Sequence, residues 1–323
     1  VIQLSVVIPT WNGLRYLPAC LAAIRAQLHE GDEIVLVDNG SRDHAAAWAQ
    51  QYAPDVRLVI LPHNRGFAGG TNAGIRAARN ELLLLCNDDA LLEPGCIDAL
   101  RGVMQAQPLD VGMVAGVLLF STHPHIIASS GIQMQRDGVA IDRDLHRPVT
   151  VLPDQPVEIF GASGGLVLLR RTLLDDVGLF AERFFAYLED ADLAWRARLR
   201  GWRCLLAPAA RARHVCSASG SAFKQRLLAR NRWRVLLRGM PLPLLLACLP
   251  SMLCYDMLAF GYAALHQQRA IAAGRLDVLH ELPLLLRERH TLQAGRTAPL
   301  AALAQWLVPP PPLRTLMINS GQV

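Results

Sequence analysis

Short β-branched or leucine-rich runs, each ending on a polar residue and separated by stretches with helical spacing, restrict the fold of this chain most. Ile2 to Pro9 carries Val6, Val7 and Ile8 and is closed by Pro9; Glu33 to Asp38 reads EIVLVD; Val56 to Leu61 and Glu81 to Cys86 (ELLLLC) follow. Leu14, Leu17, Leu21, Ile24 and Leu28 recur at steps of three and four, which puts one apolar stripe on a helix. Gly66 to Arg79 reads as a glycine loop running into another helix. Alternating strands and helices predict parallel strands joined by right-handed crossovers, with a ligand crevice at the strand carboxyl ends. Asp38, Asn87, Asp88 and Asp89 stand at that edge.

After about residue 110 the pattern is less regular, until Leu166 to Arg170 supplies a strand and Ala186 to Trp202 an amphipathic helix. Leu188, Ala191, Trp195, Leu199 and Trp202 form its expected buried stripe. From Met240 onward leucine and proline dominate, so a boundary falls near Ser221: residues 1–221 form the catalytic α/β domain and 222–323 a helical, hydrophobic, membrane-associating region. No internal repeat is visible, and Pro309 to Pro312 reads as a stiff extended segment. A length of 323 residues accommodates this division.

The formal charge of +5 rests mostly on arginine, which suits phosphate groups or an anionic membrane surface. Nucleic acid is not expected as a partner, because no aromatic-and-basic recognition segment occurs. Seven cysteines without metal-binding spacing read as buried or free thiols in a reducing cytosol. Val1 to Pro9 has a strand pattern rather than that of a secretion signal.

Three constellations could carry chemistry. Asn87-Asp88-Asp89 ends a strand of leucines, and adjacent carboxylates at a sheet edge are reconciled by a divalent cation that could also bind a diphosphate. The structural alternative is a solvated turn before a helix at Leu91. Tyr187-Leu188-Glu189-Asp190-Ala191-Asp192 opens the amphipathic helix, where the dipole favours ionised acids; an ionised Asp is a competent general base. The alternative is ordinary charge compensation, and for Asp192 the preferred reading is an i,i+4 pair with Arg196. Asn64-Arg65-Gly66-Phe67-Ala68-Gly69-Gly70 could let backbone N–H groups approach phosphate, although it is not a Walker loop. A lone His214 is more often structural.

Taken in order, these segments resemble the family 2 glycosyltransferases, most closely their rhamnosyltransferase-like bacterial branch. Val6-Val7-Ile8-Pro9-Thr10-Trp11-Asn12 resembles the opening strand, Val37-Asp38-Asn39-Gly40-Ser41 the base-binding turn, and Asn64 to Gly70 the third signature. Asn87-Asp88-Asp89 stands at the DxD-type metal motif; Gly161-Ala162-Ser163-Gly164-Gly165 and Leu188 to Leu193, with Trp195-Arg196 and Gly201-Trp202, complete a likeness covering about residues 4–220.

The resemblance implies a GT-A fold, a mostly parallel nucleotide-binding sheet flanked by helices. It implies donor binding by Pro9, Thr10, Asn12, Asp38, Asn64, Arg65, Gly69, Asn87 and Asp88, with Asp38 on the nucleobase. Asp89 and His214 would hold Mg²⁺ or Mn²⁺, Asp190 would be the base, and Glu189 would position acceptor or base. Gly161, Ala162 and Ser163 would form an acceptor-side loop. The motif departs from the family by opening on Asn87 rather than Asp. A base opposite the leaving nucleotide implies inversion. The branch implies dTDP-L-rhamnose as donor, UDP-hexoses next, and a saccharide acceptor on a polyprenyl diphosphate in cell-surface polysaccharide synthesis, O-antigen included. The rivals are a nucleotidyltransferase that makes nucleotide sugars, although Thr10 to Gly13 lacks its lysine-containing signature, and a non-catalytic assembly partner.

Met240 to Leu265 has Asp256 as its only charge, approaching a membrane span that three prolines and the acid would interrupt. Interfacial helices or a re-entrant hairpin are therefore expected, peripheral to the cytoplasmic face of the inner membrane. Lys224, Arg226, Arg230, Arg232, Arg234 and Arg238 would approach anionic head groups. The alternative is a hairpin buried on the catalytic domain or in a homodimer.

Overall fold

A computed structural model describes residues 2–215 and 221–310. Cys216 and the Pro311-Pro312 end of the proline run lie outside the described residues. The chain runs β1 (Leu4–Thr10), α1 (Leu17–Arg25), β2 (Glu33–Asp38), α2 (Ala45–Tyr52), β3 (Arg57–Ile60), α3 (Gly66–Ala77), β4 (Leu82–Cys86), β5 (Ala90–Leu92), α4 (Cys96–Ala106) and β6 (Val111–Phe120). It continues through β7 (His123–Ser129), β8 (Ile132–Gln135), β9 (Ala140–Asp142), β10 (Val157–Ile159), β11 (Leu166–Arg170), α5 (Arg171–Val177), α6 (Glu189–Leu199) and β12 (Arg203–His214). Then come α7 (Ala222–Gly239), α8 (Leu242–Leu265), α9 (Arg269–Ala294), α10 (Leu300–Ala304) and β13 (Leu307–Val308).

The main sheet has the order β10-β12-β6-β11-β4-β1-β2-β3. Strands β4, β1, β2 and β3 pair in parallel, as the alternation requires, and β11 then enters antiparallel between β4 and β6. Both faces are covered. Val6 and Ile8 join the core under α1 and α4, while Val7, Val35 and Val37 point the other way onto α3.

Three local expectations change. The less regular stretch begins later than expected, after residue 120: β6 is ten residues long and all but its last are buried in the main sheet. Leu91 starts no helix. It lies in β5, which pairs antiparallel with the end of β12, Arg213 opposite Leu91 and His214 opposite Ala90; the helix waits for Gly95, whose φ is +80°. Nor is the helix predicted over 186–202 a striped one: α6 begins at Glu189, and every residue from Ala191 to Leu199 is buried.

That burial encloses charge. Arg196 holds Asp192 at 2.9 Å, as expected, and donates to the carbonyls of Val177, Gly178 and Leu179. Arg198 bonds Glu158 at 2.6 Å and the Phe160 carbonyl. Buried charges persist only when paired in this way. Sequence periodicity missed the burial because α5, α7 and the β10 segment cover the polar face as well.

The second half of the basic run on α7, Arg232, Arg234 and Arg238, is likewise internal. Arg232 and Arg275 meet at Asp256, 3.1 and 2.7 Å away; Arg234 pairs with Glu281; Arg238 lies 3.2 Å from Asp192 and 3.0 Å from Glu288; Arg226 meets Asp277 at 2.8 Å. Arg232, Arg234 and Arg238 therefore turn to acids of α6, α8 and α9 rather than to lipid head groups, while Arg226 stays exposed. α7 shares a core with α6 and α8, including Trp195, Leu236 and Met252. α8 is the one helix among the described residues long and apolar enough to cross a membrane. It leaves Leu246, Met257 and Leu265 57%, 68% and 84% exposed, so the hairpin of α8 and α9 is not buried on its outer side.

Candidate active site

The carboxyl ends of β1, β2 and β4 carry the first group of polar side chains. Asp38 is buried and accepts the Ser41 amide at 2.9 Å. Asn12, with φ of +55°, donates its amide to Ser41 Oγ, and its Oδ1 accepts the Arg42 amide at 2.8 Å. The two turns thus brace each other beside Pro9 and the exposed Trp11. Thr10 Oγ1 donates to Asp88 Oδ2 at 2.5 Å. Gly13 lies under that carboxylate: a Cβ there would be 1.9 Å from Asp88 Oδ2. Burial above all pushes the Asp88 carboxyl up to about 6; the Thr10 hydrogen bond opposes the rise and the Asp89 charge adds to it.

The glycine-rich segment is built differently from the expected phosphate loop. α3 starts at Gly66, so Gly69, Gly70 and Gly74 lie inside the helix. A Cβ on Gly74 would be 2.4 Å from Val7 Cγ1 and 2.9 Å from Val37 Cγ2, and one on Gly70 2.9 Å from Asn39 Nδ2. Gly70 and Gly74 let α3 lie directly on β1 and β2, and Gly69 leaves room for Arg65 Cβ. Asn64 Oδ1 accepts the Gly66 amide and Asn39 Nδ2, so its carbonyl shapes the turn. The Arg65 guanidinium meets Glu182 at 2.5 Å, and Asn72 and Arg76 converge on the same carboxylate.

The second group gathers around the end of β4. The β5–β12 ladder sets His214 beside Asp89, with Nε2 2.9 Å from Asp89 Oδ1 and 3.2 Å from Asn87 Nδ2. Asp89 and Asp88 are neighbours in the chain, but they diverge: one faces His214 and the other Thr10.

The third group enters from α6. Asp190 Oδ2 accepts the Gly164 amide at 3.2 Å, and Oδ1 accepts that of Ala191 at 2.8 Å. The adjacent Gly165 carbonyl accepts the Asn87 amide at 3.1 Å. One glycine pair therefore joins the Asp190 carboxylate to the 87–89 turn, and sequence spacing could not show it. Gly161 at the head of this loop packs on α6, where a Cβ would be 2.4 Å from Ala194 Cβ; Ala162 is buried, and the Ser163 carbonyl receives the Leu166 amide.

The helix dipole does not keep these acids as acidic as the sequence suggested. Burial outweighs it, pushing Asp190 up to about 6, with the Asp142 charge adding to the rise and the Gly164 amide opposing it. Glu189 is raised as well, by burial and by the Asp190 charge. Its Oε2 is buried without a hydrogen-bond partner. Asp142 at the end of β9 and Lys224 on α7, 5.2 Å above the Tyr187 ring, also reach this cleft, where desolvation raises Asp142 and the His214 and Lys224 charges oppose the rise. Sequence reading named neither Asp142 nor Glu182, because each is brought in by an element far along the chain.

A family model described as Glycosyl transferase family 2 matches residues 5–178. The chain belongs to that family. Among its relatives is the N-acetylglucosaminyl-diphospho-decaprenol L-rhamnosyltransferase of Mycobacterium tuberculosis, 28% identical over 236 residues, covering 65% of this chain and 75% of the relative. The O-antigen biosynthesis protein RfbC of Myxococcus xanthus is 29% identical over 68% of this chain, which spans 18% of that relative. An uncharacterized glycosyltransferase of Nostoc is 34% identical over 106 residues, and the chain spans a third (33%) of its length.

Solved structures similar to this family 2 glycosyltransferase include S. aureus TarS 1–349 with UDP-GlcNAc, at TM-score 0.57, 15% identity and 91% of both chains. Another is GalNAc-T7 with UDP, GalNAc and Mn²⁺, at TM-score 0.60, 16% identity, 73% of this chain and 48% of that one. They carry the fold, which is GT-A.

Proposed function

We propose that this family 2 glycosyltransferase is an inverting enzyme that moves a sugar from a nucleotide-sugar donor to a saccharide acceptor, with Asp190 as general base. The supporting observation is the Gly164-Gly165 link, which sets the Asp190 carboxylate beside the turn carrying Asn87, Asp88 and Asp89. Asp190 takes the proton from an acceptor hydroxyl as that oxygen attacks the anomeric carbon and the nucleoside diphosphate leaves from the other side. One displacement inverts the carbon and requires no sugar–enzyme bond. Glu189, whose carboxyl is raised by burial and by the Asp190 charge, would position the acceptor or steady the base. Asp38 with the Asn12 turn supplies the base pocket, and the Asn87 amide group and Asp88 lie at the diphosphate end.

Asp89 and His214 suit a divalent cation. Two lone-pair donors 2.9 Å apart need a proton or cation between them, and cis ligands of one Mg²⁺ sit at about this spacing, ~3 Å. Asp89 Oδ1 and His214 Nε2 would hold Mg²⁺ or Mn²⁺, with diphosphate oxygens and water completing the shell. The cation would supply neutralisation of charge on the leaving diphosphate.

The mycobacterial relative's name supports L-rhamnose as the sugar and an acceptor on a polyprenyl diphosphate, with dTDP-L-rhamnose as the first donor to try. UDP-hexoses come next. A lipid-linked acceptor also accounts for the exposed apolar face of α8 and for a groove of 540 Å³ lined by Leu242, Leu286, Arg289, His290 and Arg296. That face suits peripheral attachment to the cytoplasmic leaflet, with bonding to acids on the protein side through Arg232 and Asp256.

The test is purified protein with dTDP-L-rhamnose, UDP-GlcNAc or GDP-mannose, N-acetylglucosaminyl-diphospho-decaprenol and Mn²⁺. Nucleoside diphosphate release with transfer of an inverted sugar is expected. Pyrophosphate release would instead make it a nucleotidyltransferase, and no turnover of any donor would leave an assembly partner.

A further inference from the structure

The residues just before Asp190 adopt backbone conformations that side chains disfavour. Phe185 has φ +67° and ψ −69°, and the Ala186 amide bonds back to the Phe184 carbonyl at 2.9 Å, making a γ-turn of the rare positive-φ kind. Tyr187 and Leu188 follow with φ of +68° and +66°, and neither is glycine. Such a segment persists only where its surroundings fix it.

Those surroundings converge on one side chain of α7. Asn231 is fully buried, and its Nδ2 lies 3.0, 2.9 and 2.8 Å from the carbonyls of Phe184, Ala186 and Tyr187. Two hydrogens are thus shared among three acceptors. Its Oδ1 is held in turn by Arg230 at 3.1 Å and Arg234 at 3.3 Å, which fixes which end of the amide faces the turn. The Phe185 carbonyl, the one Asn231 leaves, accepts the Ala68 amide at 3.1 Å beneath Gly66. The Leu188 carbonyl accepts Asp192 at 3.0 Å and starts α6. Every carbonyl from 184 to 188 is therefore engaged: Asn231 serves those of Ala186 and Tyr187 and shares that of Phe184 with the Ala186 amide and Arg230 Nη2.

We propose that Asn231 is a positioning residue for the reaction: by fastening the carbonyls of residues 184, 186 and 187 it sets the left-handed turn that aims the Asp190 carboxylate at the Gly164 amide. The inference rests on Asp190 being the base. Asn231 touches no reacting group; it acts through the backbone on which Asp190 is mounted. An ordinary structural asparagine would satisfy one or two backbone groups, whereas this one satisfies the strained turn next to the base. A shift of the carboxylate by about 1 Å is enough to cost on the order of 10²-fold in rate.

The experiment compares parent, Asn231→Ala, Asn231→Ser, Asp190→Asn and the Asn231→Ala/Asp190→Asn pair, with dTDP-L-rhamnose, N-acetylglucosaminyl-diphospho-decaprenol and Mn²⁺ as probes. Asn231→Ala is expected to lower kcat by about 10–100-fold with donor KM within about twofold, and to move the acidic limb of the kcat–pH profile. In the Asp190→Asn background the same change is expected to have no further effect, since a misplaced base that is already missing cannot be lost again. Asn231→Ser keeps a donor and carries the same comparison if the alanine variant does not fold. A parental kcat and pH limb in either variant, or an undiminished effect in the Asp190→Asn background, overturns the positioning role. Near-parental turnover by Asp190→Asn alone would instead sink the base assignment on which it rests.

Discussion

Asp190 is fastened to Gly164 by a 3.2 Å hydrogen bond from the glycine amide, and the next residue's carbonyl takes the amide of Asn87. The carboxylate is thus one peptide unit from the turn that ends β4. A base is useful only at a fixed distance from the bond that breaks, and this connection fixes it without any direct contact between the two acidic motifs.

Replacing Asp190 by Asn keeps the side-chain shape and one acceptor oxygen for the Gly164 or Ala191 amide, but removes the base. A fall in kcat of about 10²–10⁴-fold is expected, with donor affinity by calorimetry unchanged. Turnover near the parental rate would remove Asp190 from the mechanism.

The pH dependence follows from Asp190 being pushed up to about 6 by burial. Turnover should rise as pH passes upward through that value, because only the ionised form accepts a proton. Stability runs the other way. The folded carboxyl binds its proton more tightly than the unfolded one, whose ordinary value is 3.8, so folding loses stability between about pH 4 and pH 6 and does not regain it above. Asp190→Asn should therefore raise Tm at pH 8 by about 2 °C or more and change it little at pH 4. A lower Tm at pH 8 would contradict the burial argument.

Metal dependence should reside in Asp89 and His214, 2.9 Å apart. EDTA should abolish transfer and Mg²⁺ or Mn²⁺ restore it. Asp89→Ala and His214→Ala should each weaken Mn²⁺ binding, followed by its EPR signal with nucleoside diphosphate present, by at least about tenfold. Full activity in chelator would count against both ligands.

Gly74 tests the direct seating of α3 on the sheet. In Gly74→Ala the new Cβ would be 2.4 Å from Val7 Cγ1, and overpacking costs about 1–3 kcal/mol, set against roughly 1 kcal/mol gained in helix propensity. Chemical denaturation should show net destabilisation. A more stable variant would mean that the strands yield easily.

Asp256 separates the inner from the outer side of the C-terminal hairpin. Asp256→Ala leaves Arg232 and Arg275 facing each other unpaired, so a loss of about 3–5 kcal/mol is expected. Charged replacements on the outer side, Leu246→Glu with Met257→Glu, should spare folding and abolish flotation with lipid vesicles. Flotation equal to the parent's would end the membrane reading.

The parallel half of the fold was legible because strands buried on both faces must be apolar throughout and must end where polar residues begin; Val6 to Thr10 and Glu33 to Asp38 show both features. Asp38, Asp88 and Asp89, at or just past strand ends, were legible for the same reason. Where an element is covered from unexpected directions, periodicity misleads. α6 has polar residues on the side that α5 and α7 enclose, and the arginines of α7 look like a lipid-facing surface until Asp256, Glu281 and Glu288 are brought opposite them. A lone Asn in the middle of a helix rich in Arg and Leu was the available hint of Asn231, since such a side chain competes with helical backbone unless it has partners elsewhere.

Local chain preference alone placed strands β1 to β4 and the motifs at their ends, since burial in the sheet leaves a composition that can be read directly. Pairing between distant segments decided the rest: His214 against Asp89, Glu182 against Arg65, Asn231 under the turn before Asp190. Those partners are 125, 117 and 44 or more positions apart, and the energy that selects them lies in contacts formed only after the chain has folded back on itself.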